Sequence, residues 1–152
     1  MPSATGSIAI AAPPAVVYDL ITDLSRYSDV AEETTTIRWH AGSSAAPGAV
    51  FKGTNRNGWR RWTTTCTVTA AEPGLRFAFT VRHTVLPIAR WQYEIEPTDD
   101  GCRVTESMWD DRPGWFRKPA QLATGVGDRI GKNSANIAAT LERLKRRAEA
   151  TA

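Results

Sequence analysis

Residues 119–148 read PAQLATGVGDRIGKNSANIAATLERLKRRA. At a helical period Leu122, Val126, Ile130, Ile137, Leu141, Leu144 and Ala148 fall within roughly a 100° arc, the width of a helix pressed on one face against a core. Asn133 breaks the stripe, with Arg129 one turn before it and Thr140 near the same edge. A buried amide needs partners. Gly125, Gly127 and Gly131 each weaken a helix by about 1 kcal/mol relative to Ala. They point either to a start near Asp128 or to a surface kept low so that something lies across it. A helix over the whole stretch would run on the order of 40 Å, too long to be covered unless a sheet wraps along it.

The chain before it supplies that sheet. From residue 34 the apolar period is two, with turn signals at the intervals of a meander. Residues 34–40 set Ile37 and Trp39 on one side; residues 50–56 alternate Phe51, Gly53 and Asn55, and Gly53 suits a bend or a close backbone approach. Asn57-Gly58 is a hairpin signal. In residues 59–70, Trp62, Thr64, Cys66 and Val68 oppose Arg61, Thr63, Thr65 and Thr67, a pattern that tolerates one wet face. After Glu72-Pro73-Gly74, Leu75, Phe77, Phe79 and Val81 alternate with Arg76, Ala78, Thr80 and Arg82. Val85 and Leu86 in the following loop either pack beneath it or cap a pocket mouth. Trp91, Tyr93 and Ile95 then share a face, Asp99-Asp100-Gly101 turns the chain, and Cys102, Val104, Glu106 and Met108 make the inner side of a last strand. Strict alternation points the Glu106 carboxylate inward, unless a bulge near Ser107 returns it to water. Facing inward, it needs a hydrogen-bonded or cationic partner or a raised pKa. Trp115 and Phe116, beyond Pro113-Gly114, are expected to anchor the start of the long helix.

Ahead of the meander, residues 7–11 form a short first strand stopped by Pro13 and Pro14. Pro14 suits the first position of a helix whose buried face is Val17, Leu20, Ile21 and Leu24. Residues 23–30 are expected to continue as a second short helix, and 41–48 (AGSSAAPG) as a mobile connection without an apolar anchor.

The bulk properties narrow the function. With 152 residues, 41% hydrophobic and 23% charged, the chain has material for one sizeable core. Six of the thirteen aromatic residues are Trp, which serve packing or line a pocket for a flat or lipidic ligand. The net charge of +3 is spread along the chain. Its one dense run, Arg143 with Lys145, Arg146 and Arg147, complements the carbonyl end of the helix. No nucleic-acid partner is therefore expected. No signal peptide or membrane span is legible, so a cytoplasmic location and no insertion into a membrane are expected. Cys66 and Cys102 read as buried small hydrophobes rather than a disulfide framework. His40 and His83 lack a second ligand at metal-binding spacing, so no metal or other cofactor is expected. No phosphate loop or nucleophile elbow is present.

The order of strand, two short helices, six further antiparallel strands and a long terminal helix is the helix-grip arrangement. Residues 10–30 (IAAPPAVVYDLITDLSRYSDV), 55–81 (NRNGWRRWTTTCTVTAAEPGLRFAFTV) and the ending GVGDRIGKNSANIAATLERLKRRAE resemble the polyketide cyclase/dehydrase and lipid-transport group of the START/Bet v1-like (SRPBCC) superfamily. The resemblance covers nearly the whole chain and implies a single α+β domain over residues 1–152. In it a seven-stranded curved antiparallel sheet wraps the C-terminal helix and leaves an apolar cavity between them. The oxygenase branch is disfavoured, because its two-His-one-carboxylate iron site has no counterpart here.

Three functions follow as expectations. The first is binding of a hydrophobic small molecule, lipid-like or aromatic, against Trp62, Phe77, Phe79, Trp91 and Tyr93 of the sheet and Arg129, Ile130, Asn133 and Ile137 of the helix, with Glu106 as a placed polar group. The second is a metal-free polyketide aromatase/cyclase in the same cavity, with Glu106 as acid/base and Asn133 as the donor that holds an oxygen. The third is a protein-interaction module with a closed cavity. A monomer or homodimer suits all three.

Overall fold

The computed structural model describes residues 1–23, 34–41, 45–116 and 129–151. Seven strands form one sheet: β1 (Ala4–Ile10), β2 (Thr34–Ala41), β3 (Val50–Asn57), β4 (Arg60–Glu72), β5 (Arg76–His83), β6 (Leu86–Thr98) and β7 (Gly101–Asp110). Their spatial order is β1-β7-β6-β5-β4-β3-β2. Every neighbouring pair is antiparallel. β2 to β7 are consecutive neighbours, and only β1 crosses over, to pair with β7 along its length. Its pairing runs from Ala4 opposite Met108 to Ile10 opposite Cys102, so the first strand starts earlier than its two isoleucines suggest.

Helix α1 (Pro14–Thr22) follows β1, with Pro14 in its first turn, where the missing N–H would have had no helical partner. Its buried residues are Val17, Tyr18 and Ile21, while Leu20 is only partly covered. Of the expected second short helix, residues 23–30, Asp23 caps the end of α1 and the rest lies outside the described residues. The end of the 41–48 connection is pinned rather than mobile. Gly48 N–H donates to Val68 O at 2.8 Å, and Val68 N–H donates to Ala49 O at 2.9 Å. Gly48 takes a positive φ of 89°, open to glycine without strain.

The hairpins sit where the turn signals put them, but the β5–β6 connection is tighter than its apolar content implied. Only Thr84 and Val85 link the strands, Thr84 takes φ 56°, and Leu86 already belongs to β6. Val85 is therefore lifted into solvent rather than packed beneath a loop. Trp115 is also exposed, in a short 3-10 turn (Gly114–Phe116) after β7; the expected start of the long helix that it was to anchor lies outside the described residues.

The long helix α2 (Arg129–Thr151) closes the chain. Residues 119–128, the earlier part of the expected helix, lie outside the described residues. Ile137, Leu141, Leu144 and Ala148 are buried, as the periodicity requires. They lie chiefly against β1, and Gly6 is the reason the helix comes so close: a Cβ there would stand 2.8 Å from Ile137 Cγ2 and 3.4 Å from Leu141 Cδ1. At its far end α2 is tied to the end of β1 and the residue after it. Ala11 N–H donates to Glu149 Oε2 at 2.9 Å, and Lys145 Nζ donates to Ala9 O at 3.3 Å. This fixes the direction of α2, with Arg129 at the Met108 end of β7 and Thr151 at its Cys102 end.

A methyl group at position 6 has to displace a fully buried, β-branched side chain. Gly6→Ala is therefore expected to lower stability by about 1–3 kcal/mol. In urea denaturation Gly6→Ala combined with Ile137→Ala should lose less than the sum of the two single losses, because the truncated helix residue makes room for the methyl.

Candidate functional site

The inner face of the sheet is laid out by its register. Gly6, Glu106, Tyr93 and Phe77 form one row across β1, β7, β6 and β5. Ala4, Met108, Trp91, Phe79 and Val68 form the next. Thr64 and Trp62 continue the same face of β4 towards the β3–β4 hairpin, opposite Gly53 and Asn55. Phe79 touches both neighbouring phenylalanines, with ring centroids 5.3 Å from Phe51 and 5.6 Å from Phe77. Phe77, Phe79 and Tyr93 are buried, and Trp62 and Trp91 are half-buried.

Pairing between β6 and β7 runs without a shift from Ala89 opposite Asp110 to Thr98 opposite Gly101. No bulge forms near Ser107, and the Glu106 side chain stays inside, 2% exposed. The Tyr93 side chain directly opposite hydrogen-bonds to it, which favours the ionised form slightly. Burial is the larger effect and pushes the carboxyl up to about 8. Near neutral pH Glu106 is therefore mostly a neutral acid, able to donate one hydrogen bond and accept others. Its Oε2 is buried and has no partner among the described residues.

Across from this row, α2 presents three buried polar residues, Asn133, Asn136 and Thr140. They recur at the i, i+3, i+7 spacing of one helix face. Asn133 Nδ2 donates to Met108 Sδ at 3.8 Å, a soft contact that leaves most of the amide's capacity unused. The helix thus brings an amide against Met108, two positions along β7 from Glu106. Ile137 is buried beside Gly6, while the side chains of Arg129 and Ile130 lie outside the described residues.

Sequence reasoning missed two features. Asn136 and Thr64 are both buried and polar, and Asn55 Nδ2 donates to Thr64 Oγ1 at 3.1 Å, which makes a second polar spot on the inner face. The alternation had placed Asn55 and Thr64 on inward faces, but neither was weighed as functional. Asn136 had a usable signal, one turn on from Asn133. The other feature is the exit from β7, held by a largely buried ion pair. Arg112 Nη2 meets Asp110 Oδ2 at 2.8 Å and Arg112 Nε meets Oδ1 at 2.9 Å, a two-point fork between residues two apart.

The two thiols are free and buried. Burial pushes Cys66 up to about 12, against a small opposing effect from Thr64, and burial raises Cys102 as well. Neither is a nucleophile at neutral pH. Among the described residues no three His, Cys, Asp or Glu side chains gather.

An antiparallel sheet laid against a C-terminal helix is the Bet v1-like architecture. The family described as polyketide cyclase / dehydrase and lipid transport matches residues 1–149, and the chain belongs to it, within the START/Bet v1-like (SRPBCC) superfamily. Among solved structures, the Polyketide_cyc-like protein Cgl2372 from Corynebacterium glutamicum is 28% identical, with 95% of this chain and 90% of that chain covered and a TM-score of 0.61. The di-domain ARO/CYC StfQ from the steffimycin biosynthetic pathway is 14% identical with a TM-score of 0.75, and 97% of this chain covers 50% of that one. The chain thus spans half the length of StfQ. Ara h 8.0201 is 12% identical, with 95% of both chains covered and a TM-score of 0.70. At 14% and 12% identity the last two show the fold alone. No curated protein matches the sequence.

Two measurements follow. The folded state holds the Glu106 proton above pH 4.5, where the unfolded chain gives it up, so folding binds protons between about pH 4.5 and about 8. Stability should fall across that window by up to about 1.4 kcal/mol per pH unit. Glu106→Gln should flatten this slope in denaturation curves recorded at several pH values. In the folded protein Cys66 should resist iodoacetamide at pH 8 and react only when denaturant opens the core, as mass spectrometry of the modified peptide will show.

Proposed function

We propose that this protein binds a hydrophobic small molecule, lipid-like or an aromatic polyketide, between the inner face of the sheet and α2, in the cytoplasm. The observation that carries this is the Glu106 carboxyl, withdrawn from water with one oxygen unpartnered. A core built for packing alone would put an apolar residue there, because a buried polar atom without a partner costs about 1–3 kcal/mol. A ligand carbonyl or hydroxyl would satisfy that oxygen, while Phe77, Phe79, Trp91 and Trp62 contact its apolar body. Asn133 and Asn136 supply donors from the helix side. Mostly apolar walls with a few convergent polar groups are the usual composition of a small-molecule site. The two free thiols suit a reducing compartment.

The position of Glu106 near neutrality favours a second reading, an aromatase/cyclase. A group that is protonated about as often as not near pH 8 both gives and takes a proton efficiently. In an aldol closure of a poly-keto chain, the enol carbon attacks a ketone carbon and Glu106 passes its proton to the ketone oxygen. The carboxylate then recovers a proton from the enol O–H. Asn133 would hold one of the two oxygens, and the walls would fold the chain so that the reacting carbons meet, which supplies much of such a rate. StfQ, the ARO/CYC from a biosynthetic pathway, shares this fold, which is consistent with either reading.

Titration with an apolar fluorescent probe should show saturable uptake near one probe per chain, and Phe79→Asp should abolish it while surface substitutions do not. In a polyketide cyclisation assay, Glu106→Gln should lower the yield of cyclised product about 10²-fold or more, and Asn133→Leu should change the product distribution. Saturable uptake with unchanged cyclisation in both variants leaves the binding reading and ends the catalytic one.

A further inference from the structure

Among the described residues five large apolar side chains are exposed: Met1, Trp59, Leu75, Val85 and Trp115. Met1 is the first residue, and Leu75 sits in the turn between β4 and β5. The other three share one end of the sheet. Antiparallel order puts the β3–β4 hairpin, the β5–β6 hairpin and the exit of β7 at the same end, and these three places carry Trp59 (80% exposed), Val85 (85%) and Trp115 (69%). The β3–β4 hairpin reaches furthest, because Thr65 stands opposite Arg82 near the end of β5 while β4 begins five residues earlier, at Arg60.

The same end is basic. Arg56, Arg60, Arg61 and Arg82 lie at the ends of β3, β4 and β5 nearest these tips, and Arg56, Arg61 and Arg82 are exposed. Arg56 and Arg61 face each other directly across the β3–β4 pair, an arrangement that works against the sheet unless an anion relieves it. Among the described residues the carboxylates near this end, the sheltered Asp110 and the more open Asp111, are paired with Arg112 and Arg90. The Arg60 guanidinium lies 4.3 Å from the centroid of the Trp59 ring, so a cation and the most prominent aromatic are offered together.

We propose that this end is a peripheral docking surface for an anionic lipid bilayer. Trp59, Val85 and Trp115 enter the headgroup layer, and Arg56, Arg60, Arg61 and Arg82 meet its phosphates. The charge complementarity selects an anionic partner, and the exposed tryptophans select a bilayer among anionic partners, because tryptophan favours the headgroup depth of a membrane. Separate tips on three connections give a protein partner no continuous apolar patch to cover. Docking of this kind needs no spanning segment, and no described helix is long and apolar enough to be one. The surface uses none of the residues placed in the ligand site, so it stands or falls apart from the ligand reading.

Co-sedimentation of the full chain with phosphatidylcholine vesicles, with and without phosphatidylglycerol, tests this. Binding is expected only with the anionic lipid, with loss at high salt. Each arginine exchanged for Gln among Arg56, Arg61 and Arg82 should weaken partitioning about fivefold. Trp59→Ser with Trp115→Ser should weaken it further and reduce the blue shift of tryptophan emission on binding. Circular dichroism and the thermal midpoint check that these surface variants stay folded. No binding to anionic vesicles, or equal binding to neutral ones, overturns the proposal. Binding that needs the arginines but is indifferent to Trp59, Val85 and Trp115, and that soluble poly-glutamate matches, also overturns it, since the surface would then recognise an acidic protein or another polyanion.

Discussion

The seating of α2 on Gly6 is the constraint from which the rest of the interior follows. With no side chain at that position, Ile137 comes within a methyl's reach of the β1 backbone, and the helix crosses the sheet over the row that begins at Gly6. Glu106 is the next residue in that row, so the helix that grips the sheet also takes the carboxyl out of water. One turn towards its N-terminus the same helix brings Asn133 against Met108. Fold stability and the chemistry of the interior therefore share a contact, and a change at Gly6 reaches both.

Among the described residues the energetic balance inside is least favourable at Glu106. Most of the inner face is aromatic or aliphatic, and its burial contributes roughly 25 cal/mol per Å² of apolar surface removed from water. Glu106 works against this. Its hydrogen bond with Tyr93 offsets part of the desolvation, and protonation removes most of the remaining cost near neutral pH, but Oε2 is still without a partner. Local rules broken without local compensation concentrate where function is. Compare Asp110, equally sheltered but held by the Arg112 fork: there the polar group is satisfied within the fold, and it acts as a fastener.

Much of this was legible in the sequence because two periods carry it. Alternation gave β3 to β7 their inner faces, and the helical period gave the Ile137–Leu141–Leu144 stripe with Asn133 inside it. The seven strands of the sheet, however, rest on the pairing of β1 with β7, which no local pattern announces. Glu106 shows the limit well. Its inward direction followed from alternation, yet a bulge at Ser107 would have reversed it, and only the unbroken β6–β7 register excludes that. The misreadings have a common physical origin. Val85 and Trp115 are large and apolar, so hydrophobicity alone sends them inward, whereas a two-residue hairpin holds Val85 out in solvent and Trp115 is exposed in a 3-10 turn. In α1 the buried face turned towards Tyr18, because a ring with a polar tip packs as well as the Leu20 that periodicity favoured.

The molecule is also unequal along its length. At the end where β7 begins, α2 is apolar through Leu141, Leu144 and Ala148, α1 packs on the core, and Glu149 and Lys145 tie the helix to Ala11 and Ala9. Gly101 fits there under Ile10, whose carbonyl oxygen would lie 2.2 Å from an added Cβ. At the other end the same helix turns polar through Thr140, Asn136 and Asn133, and the hairpin tips and arginines stand out from the sheet. Tight packing at one end holds the helix in register, which lets the other end keep polar groups in its interior and apolar groups on its surface, both of which a uniform core would reject. Groups of that kind need a rigid support to stay in place. The division of α2 into an anchoring half and a polar half supplies it within a single helix.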